Sequence, residues 1–152
     1  MSFEVTVEGF RKEASIPARH TCDATDIAPE VRWAGEPSGT KSFALILDDP
    51  DAPGGTFTHW LLWDIPREIH SLPEGADHGS LGKPGLNDFG KRGYGGPCPP
   101  KGRGPHRYFF RLFALDTPSL ALPQTTRRAA LESALRKHAI AEASYMGRYE
   151  RH

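Results

Sequence analysis

Two short stretches and one histidine hold most of the residues that can do chemistry in this chain. Asp48-Asp49-Pro50-Asp51-Ala52-Pro53 places carboxylates on rigid backbone, and His59 follows at the head of an apolar run. Residues 96–108, Gly-Pro-Cys-Pro-Pro-Lys-Gly-Arg-Gly-Pro-His-Arg-Tyr, bring His106 and Tyr108 behind a Pro/Gly segment. Histidine titrates near neutral pH. A carboxylate beside it favours the protonated ring, and a protonated ring favours a bound phosphate. Asp49 and Asp51 are therefore expected to orient His59 and to act as counter-charges for an ammonium next to the phosphate. Tyr108 adds a hydroxyl donor, and the backbone of residues 101–104 is expected to turn free amides toward the anion, as backbone nests do. The expected result is a small anion pocket at the ends of β-strands. Each residue also has a purely structural reading: Asp49 and Asp51 as caps of a strand-ending turn, His59 and His106 as hydrogen-bonded histidines at the core edge, Tyr108 as a core aromatic.

Other chemistries fit less well. Asp49, Asp51, His59 and His106 are suitable metal ligands by type, but nothing like His-Glu-x-x-His spacing is present. Cys98 with His106 suggests thiolate attack, yet Cys98 sits between Pro97 and Pro99, with no helix N-terminus to lower its pKa. No Gly-x-x-x-x-Gly-Lys-Ser/Thr loop occurs. A phosphoester hydrolase would lack an obvious nucleophile or metal, so the chain is expected not to be an enzyme and to need no cofactor.

The elements that must position these residues are mostly strands. Phe3, Val5 and Val7 alternate with polar residues, the period of a half-buried strand. Residues 42–47 and 59–65 are continuous apolar runs closed by Asp48-Asp49-Pro50 and Pro66, and read as buried strands. Residues 107–115 form a third, closed by Asp116-Thr117-Pro118. One segment, 126–138, has helical spacing, with Ala130, Leu131, Ala134, Leu135 and His138 on one face and Thr125 or Thr126 as its cap. Residues 140–149 are expected to return to extended structure. Residues 73–105 hold ten of the sixteen glycines and few aliphatic residues. A loop of this length inside a domain is usually functional or disordered. It is read as an ordered, site-forming loop anchored by Phe89 and Tyr94.

With 152 residues the chain suits one domain, 1–152. Lys and Arg total 19 and so do Asp and Glu, so no net field draws in nucleic acid or an anionic membrane. Lys91, Arg92, Lys101, Arg103 and Arg107 are solvated loop charges or, alternatively, a rim that attracts an anionic ligand. The N-terminus has no signal-peptide pattern and no run is long enough to span a bilayer, so a cytoplasmic protein without integral membrane association is expected. Cys22 and Cys98 are expected to be free thiols in that reducing setting. Exposed edge strands leave a homodimer open.

Asp49-Pro50-Asp51-Ala52-Pro53, then His59, then Gly102-x-Gly104-x-His106-Arg107-Tyr108 resemble the phosphatidylethanolamine-binding protein family, which includes the Raf kinase inhibitor protein of animals. The Gly-Gly-Pro-Cys-Pro-Pro run and short length resemble its bacterial and archaeal branch, over about residues 22–149. The resemblance implies a mainly β fold: a β-sandwich of antiparallel sheets, one large, with peripheral helix near the C-terminus. It implies a pocket for phosphate and phosphorylated headgroups, with Asp49 contacting ligand and histidine, and Asp51 and Pro53 completing its segment. His59 matches the histidine of the next strand, Pro100 and Gly102 lie in the second wall, and His106 and Tyr108 are closing donors. Here Gly54-Gly55-Thr56-Phe57-Thr58 replaces a longer animal stretch, leaving Phe57 as the aromatic at the mouth, and no helix is evident after Tyr149. The expected partner is a small phosphate-bearing ligand or phosphorylated protein. The alternative is an interaction protein that inhibits a kinase or protease through surface loops.

Overall fold

The computed structural model describes residues 2–76 and 81–152. Two antiparallel sheets make the body. Strands β1 (Glu4–Val7), β2 (Val31–Ala34) and β5 (Ser71–Leu72) form the smaller, in the order β1-β2-β5. Strands β3 (Ser42–Asp49), β4 (Phe57–Pro66), β6 (Lys83–Pro84), β7 (His106–Leu115) and β8 (Ala139–Tyr149) form the larger, in the order β6-β4-β3-β7-β8. Helix α1 (Arg128–His138) leads directly into β8. The expected sandwich with helix near the C-terminus is what the chain forms, and residues 140–149 are extended.

The continuous apolar runs have a physical explanation in this layering. Every residue of β3 is buried because its two faces meet different layers. Phe43, Leu45 and Leu47 pack with Trp60, Leu62, Phe110 and Leu112 against Val5, Val31 and Trp33 of the smaller sheet. Ala44 and Ile46, with Leu61, Trp63 and Leu115, pack under Leu131 and Leu135 of α1. Alternation therefore cannot show in β3, since both side-chain rows need apolar residues until the strand ends. Along its last two residues the rows end in acids, Asp48 on the helix side and Asp49 on the other.

Three expectations about local structure are corrected. The helix has Arg127 at its N-cap with no side-chain cap; the Thr126 hydroxyl instead donates to the Pro123 carbonyl. Of the predicted face only Leu131 and Leu135 are buried, and His138 turns to Asp116, 2.8 Å from Nδ1 to the carboxylate. Cys22 and Cys98 are joined in a disulfide rather than free, their Cα atoms 5.4 Å apart. The outer edge of β8 is partly covered: Glu13 N–H donates to the Met146 carbonyl, and residues 14, 16 and 148 exchange two more backbone bonds. No helix among the described residues is long and apolar enough to cross a membrane.

Candidate functional site

The pocket begins at the end of the larger sheet where β3 stops and β4 and β7 start. Antiparallel register sets Asp48 opposite Phe109 on β7 and Thr58 on β4, so Asp49, His59 and Tyr108 gather at one end of the sheet. With the loop residues that cover them, they line a cavity of about 190 Å³. Its walls are Asp49, Ala52, Pro53 and Phe57 on one side, Cys98, Pro99 and Pro100 on the other, with His59, Phe89, His106 and Tyr108 between. Asp49 and His59 are each 3 % exposed, His106 6 % and Tyr108 0 %. Polar groups this deep need partners, and where they lack them they are available to a ligand.

Asp49 has both oxygens engaged. Oδ2 accepts from His106 Nδ1 at 2.7 Å and Oδ1 accepts from the Asp51 N–H at 2.8 Å. The expected orientation of His59 by Asp49 and Asp51 is corrected here. His59 Nδ1 donates to the Gly95 carbonyl at 2.7 Å, and the Gly95 N–H returns a bond of 2.9 Å to the His59 carbonyl. Because a carbonyl only accepts, Nδ1 carries the proton, and Nε2 of a neutral ring holds a lone pair. Burial lowers the His59 pKa below 6.5, outweighing the Gly95 carbonyl and Asp49, which push it the other way. The ring packs against Phe57, Phe89 and Tyr108 at centroid distances of 4.9, 5.4 and 5.3 Å. The Tyr108 hydroxyl is buried and makes no hydrogen bond of good geometry. Burial first, then the Asp49 carboxylate through its charge and its contact with the hydroxyl, raise its pKa, so it remains an O–H donor.

The second wall is fixed from behind. The disulfide ties Cys98 to Cys22, the Cys22 N–H donates to the Pro97 carbonyl at 3.1 Å, and the Gly96 N–H donates to Asp26 Oδ1 at 2.9 Å. A Cβ on Gly96 would lie 2.2 Å from the His20 carbonyl oxygen, so this close approach requires glycine. Tyr94 anchors the loop as expected, packing edge-on to Trp60 and donating to the His20 carbonyl at 2.6 Å. Phe89 packs against Phe57 at 4.8 Å and closes the mouth. The residue that sequence reasoning missed is Asn87. Fully buried, it accepts from the Phe89 and Lys91 N–H groups and donates to the Gly93 carbonyl. The one signal for it was the Asn-Asp-Phe-Gly turn pattern.

Of the eight predicted site residues, six line this cavity: Asp49, Pro53, His59, Pro100, His106 and Tyr108. Asp51 does not. It is turned to Arg107, which donates Nε at 2.9 Å, a terminal nitrogen at 2.8 Å and its backbone N–H at 2.9 Å. Arg107 holds the Asp51 carboxyl down to about 2. Gly102 lies outside as well, and its N–H is spent on the Arg151 carbonyl at 2.8 Å, so that amide of the expected nest is not free. Asp49, Asp51, His59 and His106 do not converge as a metal set; among the described residues no group of three or more His, Cys, Asp or Glu side chains is arranged to hold an ion. A depression of about 420 Å³ lies on the other face of the sheet by α1, lined by Arg111, Arg128 and Glu132 among others. Arg111 and Arg128 are paired there with the buried Asp48, and Arg128 also with Glu132.

Comparison with known proteins converges on one family. The family model described as "PBP: Phosphatidylethanolamine-binding protein" matches residues 6–150. A UPF0098 protein of Aquifex aeolicus is 48 % identical over 152 residues, covering 97 % of this chain and 88 % of its own. The crystal structure of Escherichia coli YbcL, described as a new member of the mammalian PEBP family, superposes with a TM-score of 0.93 at 34 % identity over 99 % of both chains. The structure of CT736 from Chlamydia trachomatis, described as a putative phosphatidylethanolamine-binding protein homologue, gives 0.91 at 33 % identity, again over 99 % of each.

Proposed function

This chain belongs to the phosphatidylethanolamine-binding protein family, and from that premise we propose that it is a non-catalytic binding protein whose pocket takes the phosphate group of a small ester or headgroup. The observation that carries the reading is the convergence in one cavity of two histidines and a buried Tyr108 hydroxyl, which lies beside the Asp49 carboxylate without a bond of good geometry to it. An anion that accepts squarely from this hydroxyl gives it a better-directed bond than the Asp49 contact does. His106 is held by Asp49 through Nδ1, which leaves Nε2 for a ligand. His59 is held by Gly95 in the same way. Thiolate turnover is not part of the proposal, because Cys98, the thiol considered with His106, has its sulfur in the disulfide.

Charge follows from the same geometry. Burial keeps His59 neutral near pH 7, and a bound anion favours its protonated form. Binding is therefore accompanied by proton uptake, and affinity rises as pH falls through the His59 pKa of the complex toward the lowered pKa of the free protein, then levels off. Titration calorimetry with inorganic phosphate tests the site, and sulfate, which keeps its charge over this range, tests the pH dependence. His59→Ala should lower phosphate affinity about tenfold, the worth of one charge-assisted hydrogen bond, and should flatten the sulfate pH profile. Unchanged affinity in that variant overturns the assignment.

A further inference from the structure

The inner cavity does not end at the histidines. Pro53, Pro100 and His106 are shared with an outer chamber of about 360 Å³, whose other lining residues are Asp51 and Arg103. A ligand whose phosphate fills the inner cavity can place its substituent in this adjoining chamber. The charges that meet it there can be taken one by one. Asp51 is ionised, but Arg107 binds both of its oxygens, so that pair offers no net charge. Asp49 is turned inward to His106. Lys101 is exposed and is not among the residues that line the chamber.

Arg103 is what remains. It is exposed, it lines the outer chamber, and among the described residues no carboxylate pairs with it. Its place is set by backbone: Gly102 and Gly104 on either side have φ of +73° and +83°, a region that side-chain-bearing residues rarely adopt. The Gly102 N–H is tied to Arg151 at 2.8 Å. The turn therefore presents Arg103 to the outer chamber, whose wall it shares with Pro53 and Pro100.

We propose that Arg103 is a specificity-determining residue that receives a second anionic group, so that the preferred ligand is a small phosphate compound whose substituent carries a carboxylate or another phosphate. This rests on the phosphate reading above and narrows it. It also reverses the ammonium expected from the Asp49 and Asp51 carboxylates, since His106 and Arg107 have already taken them.

Calorimetry with three probes separates the two claims: inorganic phosphate, phosphoethanolamine and 2-phosphoglycolate, on the wild-type chain and on Arg103→Ser and Arg103→Lys. Wild type should bind 2-phosphoglycolate about fivefold more tightly than phosphoethanolamine, the upper end for an exposed charge pair. Arg103→Ser should lose that preference, its loss for 2-phosphoglycolate exceeding its loss for phosphate by about fivefold, while Arg103→Lys keeps most of it. Raising the salt should shrink the difference in wild type. If wild type binds phosphate but prefers phosphoethanolamine, or if Arg103→Ser keeps the preference, the role of Arg103 is overturned and the pocket stands. If wild type binds none of the three probes, the phosphate reading falls and takes this one with it.

Discussion

Tyr108 and His59 show how single buried groups can trade stability against binding. The Tyr108 hydroxyl has only a poorly directed contact with Asp49, so Tyr108→Phe should change stability by no more than about 1 kcal/mol while weakening anion binding. Denaturant unfolding and calorimetry on that one variant measure both sides. A variant that unfolds more easily and still binds would contradict the assigned role. His59 makes a pH argument of known sign. Its folded-state pKa is lowered by burial, so below about 6.5 the unfolded chain takes up the proton first, and stability falls as pH drops through the folded pKa. Above about 6.5 the penalty is absent. His59→Gln should therefore show a shallower loss of stability between about pH 6.5 and 5 than wild type. The residue types of the pocket were legible in the sequence, because His59, His106 and Tyr108 stand at the heads of apolar runs. Their pairing was not. Asp49 meets His106, 57 residues away, and not His59, because pairing across a sheet depends on register and side-chain direction, which composition does not encode.

The same limit, and another device, operate at the level of the strands and helix. β3 ends in two carboxylates that serve opposite faces: Asp49 in the pocket and Asp48 beneath α1. Asp48 is 1 % exposed and is held by Arg111 at 2.9 Å and by Arg128 of the helix at 2.8 Å. A second Arg128 contact reaches the Thr58 hydroxyl at 3.3 Å, so the first turn of α1 grips the residues next to both Asp49 and His59. Removing one partner of a buried ion pair costs about 3–5 kcal/mol. With Arg111 still in place and Arg128 partly exposed, Arg128→Met should cost about 1–2 kcal/mol, and adding Asp48→Asn should recover part of it in a double-mutant cycle. Strictly additive losses would show that the two residues are not coupled. The three long central strands were readable because each is an apolar run closed by proline or acid. Strand β2 was passed over, and β5 and β6 were not readable, being two residues each, too short for any period. The helix cap was misread because Thr126 spends its hydroxyl on Pro123.

For the molecule as a whole, the disulfide joins the N-terminal segment to the second pocket wall across 76 positions. The free-thiol expectation came from the absence of a targeting signal, and nothing in the spacing of two cysteines reveals that the fold brings them together. In the chain-entropy model a loop of this size is worth about 4 kcal/mol. Dithiothreitol, or Cys22→Ala with Cys98→Ala, should lower stability by up to about that amount. It should also weaken anion binding, because Pro99 and Pro100 lose one of the ties behind them. Retained affinity after verified reduction would show that the backbone bonds from Cys22 and Gly96 hold the wall by themselves. The bond persists where the surroundings are oxidising, so the expected cytoplasmic location holds only if the cytosolic thiol pool cannot reach it. The ring it closes contains β2 through β6, while β1, β7, α1 and β8 lie outside. A protease that cuts the exposed Gly54–Gly55 turn would leave both fragments travelling as one species, separable only after reductant is added.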